Sequence, residues 1–355
     1  MEKEENRLIY LDVLRIFAMF SVMLLHVASR YWYRTPIDSN YWMVFNIYDS
    51  LARFCVPAFI MISGAFLLNP DKKYTIKDIY TRKLSRILTA LFFWSFLYAF
   101  HGTFIQKILR GEVINGSVFI DFINSFLVGH FHLGFIYLLA GLYLVAPFLR
   151  KFTNDKKLMK LFIILSFIFG SIVEILGLIP YLNITLNLVM DNLEMFFVLG
   201  YTGYFVAGYY LLKYDLAKGI KLLIYILALI SILFTIIGTY FMSLNNGKVS
   251  EVLFSYTVPN TVFTTIAIFI FFKDVVSKIR FSEKSIKIIL LFSRLSFGMY
   301  LIHDFVNIAF RYLEIKTINY NPIVSVPIMA IIVFIVSFML IWILNKIPLL
   351  RKYIM

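Results

Sequence analysis

The sequence has few charged residues, a single cysteine and none of the short motifs typical of nucleotide-driven or metal-dependent enzymes. Charged side chains make up 15% of the 355 residues. Cys55 stands alone, which excludes an intramolecular disulfide. Neither a Walker-type phosphate loop, a dinucleotide-binding glycine pattern nor an HExxH pair occurs. ATP-, NAD- and zinc-dependent reactions therefore have no motif in their favour, and we predict no metal site.

Hydrophobic residues, in contrast, make up 61% of the chain, against about 45–50% in a typical soluble domain. Apolar runs of about 20 residues, long enough to cross a bilayer, recur along it. Ten spans are predicted, at 9–28, 52–68, 87–105, 131–148, 158–180, 194–212, 220–242, 257–273, 288–310 and 323–344. We therefore predict an all-α integral membrane protein with about ten transmembrane helices. They form one membrane-embedded domain over 1–355, without a soluble accessory domain.

The distribution of basic residues predicts the orientation. With a cytoplasmic N-terminus, the cytoplasmic loops hold 24 of the 34 lysines and arginines and the outer loops hold seven. The other three lie inside or at the ends of spans. Short cytoplasmic loops carry this excess, so both termini are predicted to be cytoplasmic. The +14 net charge is spread from loop to loop, which does not favour nucleic-acid binding. The longest outer segments, 29–51 and 106–130, are predicted to form lids or short interfacial helices.

Two ionisable residues, Arg15 and His26, lie inside the first apolar run. The two are eleven residues apart, which corresponds to about 1,100° of helix, within about 20° of three full turns. Both side chains therefore lie on one face of the helix, separated by about 16 Å along its axis. Ionisable residues inside a spanning helix are costly and usually functional. Asp12, three residues before Arg15, can pair with it. The alternative is a structural ion pair together with an interfacial histidine.

The ninth span has a polar face that includes a second histidine. Its members recur at intervals of four, three and four residues: Ser296, Tyr300, His303 and Asn307. Such a face looks into protein or a hydrated cavity rather than lipid. The predicted orientation places His303 at nearly the depth of His26, while Asp304 points elsewhere and could orient a neighbouring group. The alternative is polar packing between helices.

Three further residues carry weaker signals. His130 and His132 are two residues apart, a spacing that does not place two ligands on one helical face. Glu174, in the fifth span, could orient a histidine or neutralise Arg53.

Five segments, taken in order, resemble acyltransferase family 3, the multipass membrane O-acyltransferases. They are Leu-Asp-Val-Leu-Arg at 11–15 with His26; Val-Pro-Ala-Phe-Ile-Met-Ile-Ser-Gly at 56–64; the basic entry at 82–86 with 91–95; 132–137 with Pro147; and 296–303. Gly134 replaces the tryptophan that is usual in the fourth segment. The resemblance covers the first 150 residues and the ninth helix, and the middle helices match in hydropathy.

The resemblance implies transfer of an acyl group, most often acetyl from acetyl-CoA, to a hydroxyl of a cell-surface glycan or lipid-linked sugar. It implies a multi-pass protein of the cell membrane, in bacteria the plasma membrane, in contact with membrane lipids. Acyl-CoA is a cytosolic polyanion, and arginine binds phosphate in a bidentate manner. We therefore expect Arg82, Lys83 and Arg86 to bind the CoA co-substrate. The alternative is that these charges only set the orientation.

His26 is the first candidate for the catalytic residue, with Arg15 and His303 as the other two. A histidine can take the proton of the acceptor hydroxyl and return one to the thiolate, or carry the acyl group as an acyl-imidazole. Arg15 would lie deeper, along the donor. The competing function is a transporter or flippase for a glycan or lipid-linked sugar, since broken helices and buried charges also suit transporters. The sequence does not indicate an oligomeric state.

Overall fold

The computed structural model describes residues 8–193 and 200–353, and every regular element in these ranges is helical. The helices are α1 (Ile9–Trp32), α2 (Asn40–Ala52), α3 (Cys55–Leu67), α4 (Ile76–Leu109), α5 (Gly116–Val128), α6 (Gly134–Phe152) and α7 (Lys156–Leu176). The remaining helices are α8 (Pro180–Leu193), α9 (Tyr201–Lys213), α10 (Lys218–Asn246), α11 (Pro259–Asp274), α12 (Glu283–Tyr312), α13 (Pro322–Leu344) and α14 (Pro348–Tyr353).

Nine helical segments in the described ranges are long and apolar enough to cross a membrane. They correspond to the first five and the last four predicted spans. The sixth predicted span, 194–212, begins outside the described residues, and its remainder forms α9. The prediction of an all-α integral membrane protein is confirmed.

The second span is longer than predicted, because much of 29–51 is part of it. Asn40–Leu67 is a single candidate span, made of α2 and α3 with a short turn between them. The Ser39 side chain caps α2 by accepting a hydrogen bond from the Trp42 amide. Asn46 interrupts the apolar run but is buried, and its amide donates to the Ile236 carbonyl at 2.9 Å. Asn46, one of the polar residues that suggested a loop, therefore has a hydrogen-bond partner inside the protein.

The third span begins earlier than predicted, since α4 starts at Ile76 rather than at 87. Thr75 and Asp78 form a capping box, in which each side chain binds the other residue's backbone N–H. A π-helical turn follows at Ile79–Leu84. The basic residues expected in a loop before the helix are thus carried by the helix itself.

Three prolines lie at different positions in their helices. Pro147 lies inside the continuous helix α6 rather than interrupting it. Pro259 is the first residue of α11, where a missing backbone N–H costs nothing. Pro57 lies in the first turn of α3. Residues 106–130, predicted as an outer segment, contain α5, which forms one candidate span with α6 over Gly116–Phe152.

The chain divides into two compact units. The first contains Met1–Asn69 and Phe152–Phe338, and the second contains Pro70–Lys151 and Met339–Met355. In the first unit α1 packs against α2, α3, α11 and α12. In the second unit α5 packs on α4.

One close helix crossing in the first unit joins α3 and α9, and two glycines make it possible. A Cβ on Gly64 would lie 1.8 Å from the Phe205 carbonyl oxygen, and one on Gly208 would lie 2.0 Å from the Met61 carbonyl oxygen. Small residues allow helix backbones to approach closely inside membranes. The helix α3 also packs against α1, the helix that carries Arg15 and His26.

Candidate functional site

The candidate site lies along the contact between α1 and α12, where three polar contacts occur at successive heights. Ser293, His303 and Asn307 of α12 face Arg15, His26 and Arg30 of α1, respectively. The residue numbers of these contacts increase in the same direction along both helices, so the two helices run parallel. Arg15 and His26 therefore lie on one face of α1, the face that packs on α12.

The lowest contact connects Arg15, Asp12 and Ser293. Nη1 of Arg15 donates to the Ser293 hydroxyl at 3.0 Å and lies 3.6 Å from a carboxylate oxygen of Asp12. The Ser293 hydroxyl in turn donates to Asp12. The Arg15 side chain remains 26% exposed, against 3% for Asp12. One hydroxyl thus bridges both members of the predicted ion pair and fixes the guanidinium against α12.

The middle contact is a pair of histidines. The ring centroids of His26 and His303 lie 5.1 Å apart, with an angle of 31° between the ring planes. His303 is fully buried, whereas His26 is half-buried. Nδ1 of His303 lies 2.6 Å from the Tyr300 carbonyl oxygen. Since a carbonyl only accepts, Nδ1 carries the hydrogen and Nε2 is the basic nitrogen of the neutral ring.

The polar face predicted on the ninth span is entirely buried. Ser296, Tyr300, His303 and Asn307 are each at most 5% exposed. The Ser296 hydroxyl donates to the Ser293 carbonyl at 2.8 Å. The Asn307 amide donates to the Asp304 carboxylate at 3.3 Å, so one partner of Asp304 lies on the same helix.

The predicted CoA-binding residues lie on the first turns of α4 and are accessible. Arg82 pairs with Asp78 at 3.1 Å, yet its side chain is 80% exposed. Nζ of Lys83 lies 4.2 Å from the centroid of the Tyr74 ring, a cation–π contact. Arg86 is exposed. A π-helical turn carries Arg82 and Lys83, and such turns are frequent at functional sites.

A second histidine cluster lies in the second unit, where the residue spacing did not suggest one. Nδ1 of His130 and Nδ1 of His132 are 2.8 Å apart, and the Tyr98 ring stacks on His130 at 4.5 Å. The helical spacing argument fails here because Gly129 has a φ of 78° and His130 is extended, ahead of a 3₁₀ turn at Phe131–Leu133. Adjacent glycine was the available signal for a non-helical backbone.

The hypotheses for Glu174 and Arg53 need correction. Arg53 pairs with Asp49, four residues earlier on the same stretch of chain, with 2.6 Å between Nη2 and the carboxylate. Glu174 instead accepts hydrogen bonds from the hydroxyls of Ser255, at 2.7 Å, and Thr257. The carboxylate that neutralises Arg53 is thus Asp49, at helical i,i+4 spacing, and not the distant Glu174.

Sequence reasoning also missed Ser293 and Arg30. Ser293 precedes His303 by ten residues, close to the eleven that separate Arg15 from His26. Because the two helices are parallel, these similar intervals bring Ser293 to Arg15 where His303 is beside His26. Arg30 follows His26 by one helical turn. The first predicted span ends at 28, however, so Arg30 is assigned to an outer loop. Its Nη1 donates to the Asn307 carbonyl at 3.0 Å.

A comparison with known families identifies one family for this chain. The family model Acyl_transf_3, described as an acyltransferase domain, matches residues 8–342. The match therefore includes most of each compact unit and all six candidate site residues. No curated protein and no solved structure matches the chain. Because the family model covers nearly the whole sequence, the chain belongs to acyltransferase family 3 and is a multi-pass membrane acyltransferase.

Proposed function

We propose that the protein transfers an acetyl group from cytosolic acetyl-CoA to a hydroxyl of a cell-surface polysaccharide or lipid-linked sugar. The observation that carries the proposal is the pairing of His26 with His303, 5.1 Å apart, inside the helix bundle of a family 3 acyltransferase. Two imidazoles in contact provide a proton acceptor near neutral pH. A structural role alone does not require a second histidine opposite the first.

His26 is the proposed general base because it is the more accessible of the two rings. As the acceptor oxygen bonds to the acetyl carbonyl carbon, His26 takes the hydroxyl proton. The carbon–sulfur bond then breaks, and the proton passes to the CoA thiolate. His303, held through its Nδ1 hydrogen, is proposed to orient the system and to share the proton through Nε2. An acyl-imidazole on His26 is the alternative route to the same products.

The donor is proposed to enter from the cytoplasmic side. The exposed Arg82 and Arg86 and the half-buried Lys83 are cations that match the phosphates of CoA, and arginine binds phosphate with two parallel hydrogen bonds. Arg15 is proposed to meet the donor closer to its thioester. About 16 Å of helix separates Arg15 from His26, comparable to an extended pantetheine arm. Both termini are proposed to be cytoplasmic, in the plasma membrane of a bacterial cell.

Labelled acetyl-CoA distinguishes an enzyme from a transporter. Purified protein in detergent is mixed with [¹⁴C]acetyl-CoA and the lipid-linked sugar fraction of host membranes. We expect the label in the sugar fraction, with one CoA thiol released for each acetyl group transferred. His26→Ala should abolish both signals while acetyl-CoA binding and a single folded peak in size-exclusion chromatography persist. His101→Ala, which removes a histidine of α4 that the proposal does not use, is the matched control and should retain transfer.

The same preparation tests the transporter. In reconstituted vesicles, movement of the lipid-linked sugar with no thiol release by the wild-type protein would refute the acetyltransferase proposal. Near-normal labelling by His26→Ala would remove His26 from the chemistry.

A further inference from the structure

The outer end of the contact between α1 and α12 carries a cation that the proposed acetyl transfer does not use. Arg30 lies one turn beyond His26, and its partner Asn307 lies one turn beyond His303. Nη1 of Arg30 donates to the Asn307 carbonyl at 3.0 Å. Its Nη2 is buried and has no hydrogen-bond partner among the described residues. A buried donor of a charged group is expensive to leave unsatisfied.

Further positive charge surrounds this guanidinium. Arg34 and Arg311 are near enough for their charges to act on Arg30, as is the carboxylate of Asp304. Lys316 lies close to Tyr31 and pairs with Glu314, whose carboxylate raises the pKa of Lys316. One of these carboxylates, Asp304, acts on Arg30 and also accepts from the Asn307 amide, while Glu314 pairs with Lys316. Three arginines share this end of the two helices, and an anion would relieve their mutual repulsion.

We propose that Arg30 binds an anionic group, phosphate or carboxylate, that the acceptor sugar carries, so that the protein selects negatively charged acceptors. This inference rests on the proposed acetyl transfer and specifies its acceptor class. Four residues of helix correspond to about 6 Å. A separation of about 6 Å means that the bound anion and the acceptor hydroxyl, which lies next to His26, belong to one sugar residue or to two adjoining ones. Arginine is suited to this role because its planar donors match both oxyanions.

The test is anion-dependent thermal stabilisation of the purified protein in a maltoside detergent without phospholipid. The probes are glucose 1-phosphate and glucuronate, with glucose as the neutral control. Both anions should raise the unfolding temperature of the wild-type protein, and glucose should not. Arg30→Gln should raise the half-saturating concentration of each anion by about 10- to 100-fold, the loss expected for a charge-assisted contact. Lys248→Gln, which removes another outer-loop cation, should behave as wild type.

The outcomes separate a binding role from a structural one. If Arg30 only holds α12, Arg30→Gln lowers the unfolding temperature but leaves the anion effect unchanged, which overturns the inference. Equal stabilisation by glucose also overturns it. If Arg30→Gln does not fold, Arg30→Lys and Arg311→Gln replace it, and unchanged anion affinity in both contradicts the proposal. Arg30-dependent stabilisation by phosphatidylglycerol but not by glucose 1-phosphate assigns the site to lipid headgroups and overturns the acceptor role.

Failure of this inference is distinguishable from failure of the proposed function. Thiol release from acetyl-CoA by the wild-type protein is measured in parallel. Release without an Arg30-dependent anion effect rejects the anion site alone. Arg30-dependent anion binding without any release rejects acetyl transfer, and the acceptor assignment with it.

Discussion

Removing the Ser293 hydroxyl should impair use of acetyl-CoA although it removes no charge. Ser293 accepts from Arg15 at 3.0 Å and donates to Asp12, so it fixes both members of the ion pair against α12. In Ser293→Ala the two charges keep each other, since they lie 3.6 Å apart on neighbouring turns of α1. The Arg15 guanidinium then loses its anchor on the second helix and samples other positions.

The size of the effect follows from the bonds lost. A hydrogen bond to a charged group contributes about 1.5–3 kcal/mol. Because Arg15 retains Asp12, we take the lower end, about 1.5 kcal/mol, which corresponds to roughly tenfold. If Arg15 binds the donor equally in the ground state and in the transition state, the loss appears as a tenfold rise in KM for acetyl-CoA with kcat little changed.

The assay is thiol release from acetyl-CoA as a function of donor concentration, with purified protein and saturating acceptor. Ser337→Ala, which removes another fully buried hydroxyl, is the control for loss of packing and should leave KM unchanged. A fall in kcat at constant KM would place Arg15 at the reacting atoms instead of along the donor. No change in either parameter would show that the bridge has no functional role.

Three other predictions concern topology, the donor site and packing. Reporter fusions should be cytoplasmic after Lys157 and external after Asp38, and the opposite location at either position would break the orientation derived from loop charges. Lys83→Ala combined with Arg86→Ala should weaken acetyl-CoA binding without loss of folded protein, because exposed charges add little stability; unchanged donor affinity would remove them from the site. Gly208→Ala should cost about 1–3 kcal/mol of stability, since its Cβ would lie 2.0 Å from a backbone oxygen, and an unaltered unfolding temperature would contradict the close crossing.

The overall architecture was predictable because the membrane imposes it. Apolar runs of span length must form helices there, so the run lengths predicted nine of the segments now observed. The errors are at positions where polar residues lie inside spans. Asn46 and Asp49 lowered the hydropathy of α2, yet they are buried against neighbouring helices, which a count along one chain segment does not detect.

The candidate site was predictable in part. Helical periodicity is enough to place Arg15 and His26 on one face, and equal depth is enough to suggest that His303 is near His26. The partners within contact distance were not predictable, because they depend on the register between α1 and α12. The Ser293 bridge and the Asn307 contact of Arg30 both arise from this register. The His130–His132 contact depends on a left-handed glycine, which helical periodicity cannot represent.

The most direct test of the central claim is a double-mutant cycle on the two histidines, with labelled acetyl transfer as the readout. If His26 and His303 act as one proton-transferring unit, each alanine variant should lose about 10²- to 10⁴-fold in kcat. The double variant should then be no slower than the slower single variant, because residues that act together are not additive. Unfolding temperatures close to that of the wild type are required of all three proteins. Multiplicative losses, or near-normal transfer by either single variant, would contradict catalysis by the pair.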